Sequence, residues 1–326
     1  MDTGARLRNS LYLRIIAPVI GSSPAWFAYG LALVYADIRR WLDRAKYQEV
    51  LLCLDHVMGS RIPTETRKRI AQNYLRNRAC MRVDAMRLVG DGHHLMQLVT
   101  ISGEEQLRKA LDNGKGAVLC SAHYGSVRAC GALLGARGFP LTMITAWSLS
   151  STRLRGQKSQ RLYQFAWKPL ERHMRKPLDV RSTRISVAVQ ASNLLQRNEV
   201  VFSLLDTGAS KRRKDAMTLD FIGGRATILP GPVLISRLTG APLFMAFLSR
   251  GQSWKDLRLE IGPQIPVQGD ALAATQACMT EVGRKITREP SQWEMWTMRR
   301  LVHLGLFPEE KASEYYKTTG RYWKKV

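Results

Sequence analysis

Acidic side chains are scarce in this chain: 26 Asp plus Glu stand against 50 Lys plus Arg in 326 residues, a formal net charge of +24. Cysteines are few too. The five (Cys53, Cys80, Cys120, Cys130 and Cys278) are odd in number, with no C-x-x-C pair and no histidine at zinc-finger spacing. That excludes a disulfide-stapled scaffold and argues for free thiols in a reducing compartment, with the bulk of the chain in the cytoplasm. There is no internal repeat, no low-complexity linker and no His/Asp/Glu cluster at ligand spacing, so neither a solenoid nor a metal is expected. With 45% apolar and 23% charged residues, the chain is neither collagenous nor disordered.

A field of this sign attracts polyanions, which makes nucleic acid, anionic lipid and acidic proteins the candidate partners. The basic excess thickens over residues 151–184, where ten Lys or Arg face only Glu171 and Asp179. The alternative for any one of them is a solvated face. A specific nucleic-acid partner ranks last, because neither zinc spacing nor an aromatic and basic RNA-binding pattern is present.

The longest stretch without charge, residues 15–36, is 22 residues long and could just span a bilayer. Pro18, Gly21, Ser22, Ser23 and Pro24 interrupt it, so a continuous helix is expected to start near Pro24. Basic residues flank both ends: Arg6, Arg8 and Arg14 before, then Arg39, Arg40, Arg44 and Lys46 after. Aromatic content with basic ends on both sides suits a helix lying in the headgroup layer better than one crossing it, with a buried core helix as the alternative. No small-residue cleavage site marks a signal peptide. The expected organisation is a membrane-associating segment over 1–48, an α/β domain over 49–310 that is helical to about 90, and a basic aromatic tail over 311–326.

Further along, a helix is expected over 65–88. The Ser102 and Glu105 spacing of a capping box opens another that stops near Asn113. Residues 116–122 are a short apolar run after a glycine, which fits a buried parallel strand, and they lead into His123-Tyr124-Gly125-Ser126. Helical spacing resumes after Ser126. Strands are then expected over 140–146, 200–205, 242–248 and 257–261, and helices over 185–195, 228–238 and 271–288. The alternation implies an α/β fold: a mixed, mostly parallel sheet flanked by helices, with a helical lead-in.

Ligands of open α/β sheets gather beyond the carboxyl ends of strands, and two turns lie at such ends: Ser121-Ala122-His123 and Leu205-Asp206-Thr207-Gly208. A histidine between a strand and a helix is a candidate general base, with a structural histidine as an equal alternative. The other five histidines have no comparable setting. Asp206 reads equally as a turn-initiating residue before Thr-Gly. Lys211, Arg212, Arg213 and Lys214 form a basic loop run that suits an acidic protein, anionic lipid or plain solvent.

An ordered series of segments carries a resemblance over nearly the whole chain. It comprises the N-terminal apolar helix, Leu51-Leu52-Cys53-Leu54 followed by Thr64-Glu65-Thr66-Arg67, and the region over 103–125 with its histidine. It continues with Val200-Val201-Phe202-Ser203-Leu204-Leu205-Asp206, the segment 221–241 (F-I-G-G-R-A-T-I-L-P-G-P-V-L-I-S-R-L-T-G-A), and Glu289 to Trp296 with Arg299 and Arg300. In this order the chain resembles the late acyltransferases of lipid A biosynthesis, of the lysophospholipid acyltransferase superfamily, whose fold is glycerolipid acyltransferase-like.

The resemblance implies transfer of an acyl group from an acyl carrier protein thioester, or from acyl-coenzyme A, to a hydroxyl of a phosphorylated glycolipid. No cofactor is implied. The place implied is the cytoplasmic face of the inner membrane, peripheral or anchored in plane, and the partners are acyl carrier protein and an anionic surface. His123 would take the hydroxyl proton, and an acid five positions on would orient the imidazole. Arg184, Arg237 and Arg299 are similar to family positions that meet anionic headgroups, with a surface charge as the alternative for each.

The chain departs from the family at one decisive point. The H-x4-[D/E] motif reads His123-Tyr124-Gly125-Ser126-Val127-Arg128, an arginine where the acid belongs. A guanidinium accepts no imidazole N–H and disfavours protonated histidine. It also puts a cation in a helix first turn, a cost of about 0.3–1 kcal/mol when exposed. Three readings stand open. In the first, Asp206 supplies the carboxylate and Arg128 binds an anionic group of an acceptor unlike lipid A. In the second, catalysis is lost and lipid or carrier binding remains. In the third, His123 acts unassisted on an amine while Arg128 holds an acidic acceptor or the carrier's phosphate.

Overall fold

The computed structural model describes residues 16–88, 92–145, 170–180, 186–209 and 213–320. The lead-in is helical: α1 (Ala17–Ser22), α2 (Ala25–Leu42), α3 (Arg44–Met58) and α4 (Thr64–Arg87). Pro24 and Pro63 sit just before α2 and α4, where a missing N–H costs nothing. The short α5 (His93–Met96) then leads to β1 (Val99–Ser102), α6 (Glu104–Asp112), β2 (Ala117–Ser121), α7 (Val127–Ala136), β3 (Leu141–Thr145) and β4 (Leu178–Asp179). The remaining elements are α8 (Val187–Gln196), β5 (Val200–Leu204), the hairpin β6 (Met217–Phe221) and β7 (Gly224–Ile228), α9 (Gly231–Thr239), β8 (Leu243–Arg250), β9 (Leu257–Ile265), α10 (Ala271–Arg288), α11 (Met298–Leu304) and α12 (Glu309–Thr318).

Seven strands form one sheet in the order β1-β9-β8-β2-β5-β3-β4. Every neighbouring pair is parallel except β8 and β9. β2 and β5 lie side by side at its centre, buried on both faces, which is why they read as unbroken apolar runs rather than alternating ones. Val118, Cys120 and Val201 pack into the core under α9 and α10, while Leu119 and Phe202 point to the opposite core under α7. The chain therefore leaves β2 on one face and β5 on the other, and their carboxyl ends bound the kind of crevice where such sheets hold ligands.

Two expectations change. Ser102 does not cap a helix; it ends β1, and α6 follows Gly103, whose left-handed backbone makes the corner without a side-chain cap. The helix expected from Ile228 starts at Gly231, because residues 217–228 form a hairpin. Ile222 and Gly223 both have positive φ there, the signature of a two-residue hairpin turn. Within the segment expected as a basic aromatic tail, residues to 318 belong to α12. α12 packs back on α3, with Tyr316 Oη 2.5 Å from Glu49 Oε1 and Tyr315 Oη 2.5 Å from the Ala45 carbonyl. Residues 321–326 of the expected tail lie outside the described residues, as do Arg6, Arg8 and Arg14.

Helix α2 inverts the usual amphipathic arrangement. Its small residues Ala28, Ala32 and Ala36, with Tyr29, pack on Ala79, Cys80 and Val83 of α4. Its large ones face out: Trp26 is 73% exposed, Trp41 65% and Leu42 75%, with Leu31, Val34 and Ile38 between them. No helix among the described residues is long and apolar enough to cross a membrane.

Candidate active site

His123 stands just past β2, and Asp206 just past the adjacent β5. The parallel register pairs Ser121 with Leu204, so the two turns rise side by side. His123 Nδ1 is 2.9 Å from Asp206 Oδ1, and the His123 backbone N–H reaches both carboxylate oxygens at 2.9 and 3.0 Å. The carboxylate only accepts, so Nδ1 carries the proton and Nε2 presents its lone pair outward. The imidazole is 26% exposed and the carboxylate fully buried.

Trp293 donates its indole N–H to Asp206 Oδ2 at 2.8 Å. Its ring is held edge-on by Trp296 and Phe221. Burial raises the Asp206 carboxyl, yet the His123 charge and the hydrogen bonds from His123 and Trp293 outweigh it and hold the carboxyl below its ordinary value.

The turn that carries His123 is clamped from two sides. Gly125 N–H donates to the Gln292 carbonyl and Ser126 N–H to the Leu248 carbonyl, both at 2.9 Å. Glu294 N–H donates to the His123 carbonyl at 2.7 Å. Gly125 has φ +59° and lies so close to β8 that a Cβ there would stand 2.0 Å from the Leu248 oxygen. Glycine is required at this position for both reasons.

Beneath the turn lies a buried polar knot. Asp84 of α4 accepts from Tyr29 Oη at 2.6 Å, from Arg250 Nη2 at 2.6 Å and from the Ser126 hydroxyl. Ser126 stands at the start of α7 and spends its hydroxyl on Asp84 rather than on the helix, so the lead-in helices and the His123 turn share one carboxylate.

Arg128 lies in the first turn of α7, exposed, with no hydrogen bond or ion pair to any described residue. Arg299 is exposed on α11, one helical turn from His303, whose ring lies against Gly208, two residues past Asp206. Arg237 is elsewhere. It lies in the last turn of α9, which leads into the amino end of β8, at the opposite end of the strands from His123, and its guanidinium donates to the Gly269 carbonyl. Arg184 lies outside the described residues, as do most of residues 151–184 and Lys211 and Arg212 of the basic loop. The structure thus brings His123, Asp206 and the α7 turn of Arg128 together and leaves Arg237 apart.

Three residues without an assigned role in the sequence reading also meet here. Glu294 is buried, Arg78 of α4 pairs with its carboxylate at 2.5 Å, and Arg300 donates to its carbonyl at 2.8 Å. An acid placed between the buried Trp293 and Trp296 was the available signal, since a carboxylate in such company needs a partner.

The bacterial lipid A biosynthesis acyltransferase family model matches residues 15–303. The chain belongs to that family. Comparison with curated protein sequences finds no significant match. The membership spans the lead-in, the sheet and the closing Trp293 segment alike, so all of them are family parts and not additions.

Proposed function

We propose that the protein transfers an acyl group from a carrier thioester, on acyl carrier protein or coenzyme A, to a hydroxyl or amine of an anionic acceptor at a membrane surface. His123 Nε2 takes the proton of the attacking group as its oxygen or nitrogen bonds to the thioester carbonyl carbon. Asp206 steadies the imidazolium so formed. As the tetrahedral intermediate collapses, the C–S bond breaks and the proton passes from Nε2 to the departing thiolate.

What carries this reading is the 2.9 Å contact between His123 Nδ1 and Asp206 Oδ1, with Trp293 fixing the far oxygen. It favours, of the readings that the H-x4-R motif leaves open, the one in which the orienting carboxylate comes from β5. Arg128, unpaired among the described residues at the rim, is then free to hold a phosphate or carboxylate of the acceptor, for which a planar fork is suited. Arg299 and, from the resemblance, Arg184 are candidates for a second anionic contact.

The outward Trp26, Trp41 and Leu42, flanked by Arg39, Arg40 and Arg44, support seating in the headgroup layer of the inner membrane's cytoplasmic face, without crossing it. The positive field favours an acidic carrier protein as donor.

The test is comparative mass spectrometry of lipids and small metabolites from cells making the wild-type chain or His123→Ala within the native pathway. An acylated species made by the wild type and lost with His123→Ala identifies the acceptor. Identical profiles would replace catalysis by lipid or carrier binding.

A further inference from the structure

Three glycines from two remote stretches of the chain, Gly223, Gly224 and Gly305, line one open cleft. It lies where the turn of the β6–β7 hairpin meets the last turn of α3, at His56, and the loop between α11 and α12. The cleft encloses about 350 Å³, within the size range of small-ligand sites. Neither His123, Asp206 nor any residue bonded to them lines it. The hairpin divides the two places: Phe221, which pairs with Gly224, sets its ring 5.8 Å from that of Trp293, while the glycines face the cleft.

The walls combine three features. Gly223 and Gly305 have left-handed backbone, φ +91° and +82°, and with Gly224 they leave bare main chain that a ligand can approach closely. The apolar part is Leu306 and Phe307, both buried, with the Phe307 ring centred 4.6 Å from that of His56. The third feature is cationic. Arg225 lines the cleft, and Arg61, just past α3, sets Nη1 2.8 Å from where a Cβ of Gly223 would stand. Arg61 makes no hydrogen bond or ion pair with any described residue. Arg225 reaches the Thr218 carbonyl at 3.4 Å and has Asp220 3.7 Å away. No acid lines the cleft among the described residues, and Asp55, beside His56, is paired with Arg67.

We propose that this cleft binds a water-soluble small molecule that joins a phosphate to a flat apolar ring. The ring lies against Phe307 and His56, and the phosphate between Arg225 and Arg61, whose planar forks suit it. A cavity of roughly 150 Å³ holds benzene, so this one has room for a phosphate beside the ring. His56 is about 18 Å along α3 from Arg44, at the end turned from Trp41, which favours a ligand from solution over a lipid headgroup. The site is independent of whether the protein transfers acyl groups.

The test is a titration of the isotope-labelled full chain with phenyl phosphate, following the amide signals of Gly223, Gly224 and Gly305 by proton–nitrogen NMR. Saturable shifts at these glycines are expected, with Kd raised at least tenfold by Arg225→Ala and by His56→Ala. Both side chains are exposed, so the β2 and β5 signals should hold; should one variant lose them, the other decides. Inorganic phosphate, which lacks the ring, is expected to bind at least tenfold more weakly. Glycine signals that do not saturate, or a Kd that the folded variants leave unchanged, overturn the proposal. Inorganic phosphate binding as tightly as phenyl phosphate overturns it too, and reduces the cleft to a general anion patch on a basic chain. Phosphatidylglycerol vesicles are expected to leave the glycines unmoved; vesicles that shift them where phenyl phosphate does not would make the ligand a headgroup and sink the soluble class.

Discussion

The indole of Trp293 and the carboxylate of Asp206, 87 residues apart in the chain, are joined by a 2.8 Å hydrogen bond on the oxygen turned from the His123 ring. A carboxylate at a strand end has two lone-pair-bearing oxygens to satisfy once buried, and only one can face the imidazole. Trp293 takes the other and so sets the plane in which the first must point.

Trp293→Phe keeps the ring packing but removes that donor. A hydrogen bond to a charged group contributes about 1.5–3 kcal/mol, and that much stability is expected to be lost in urea unfolding. kcat/KM is expected to fall about tenfold or more as Asp206 gains freedom to turn. Unchanged stability together with unchanged activity would show that the indole bond does neither task.

Asp206→Asn preserves shape and reverses the hydrogen-bond demand on Nδ1, favouring the tautomer with its proton on Nε2. A loss on the order of 10³–10⁴ in kcat is expected, with the acceptor KM little altered. An activity within tenfold of wild type would mean that His123 works unassisted.

Acid sensitivity follows from two depressed carboxyls. Asp206 and Glu294 have ordinary values of 3.8 and 4.5 and lie lower in the folded protein; burial pushes both up, but neighbouring cations and hydrogen bonds prevail. Their contribution to stability is complete above those ordinary values and is lost as pH falls through the folded ones. In urea unfolding across pH 7 to 3, wild type is therefore expected to lose stability more steeply below pH 4.5 than Glu294→Gln. Parallel curves would contradict it.

Trp26→Glu combined with Trp41→Glu removes two large apolar contacts from the outward face of α2. Each buried aromatic of this size is worth about 1.5–3 kcal/mol, so binding to phosphatidylcholine and phosphatidylglycerol vesicles should weaken at least tenfold, with the melting temperature held. Flotation of the double variant equal to wild type would exclude α2 as the seat.

The doubly buried run over 116–122 and the long amphipathic stretch over 271–288 were legible to within a residue or two, as β2 and α10. Their length and flanking turns carried the information. The hairpin β6–β7 escaped because its turn is Ile222-Gly223, and a β-branched residue at positive φ is not a turn signal. In the site, His123 and Asp206 were legible as strand-end residues. Arg237 was not legible as remote, since a family position gives no direction along a helix. Nor were Trp293 and Glu294 legible in their roles, because contacts over 80 or more residues are set by how the closing segment folds back on β2 and β8.

The knot at Asp84 bears on how this protein can be handled. Removing residues up to about 43 is the natural way to make a soluble form, since it discards Trp26, Trp41 and Leu42. It would also discard Tyr29 and strip the cover from Ala79, Cys80 and Val83. Asp84 and Arg250 would then meet water within two hydrogen bonds of Ser126, the residue that starts α7, the helix that follows His123. Surface substitution of the outward aromatics removes the same greasy face and leaves that foundation in place.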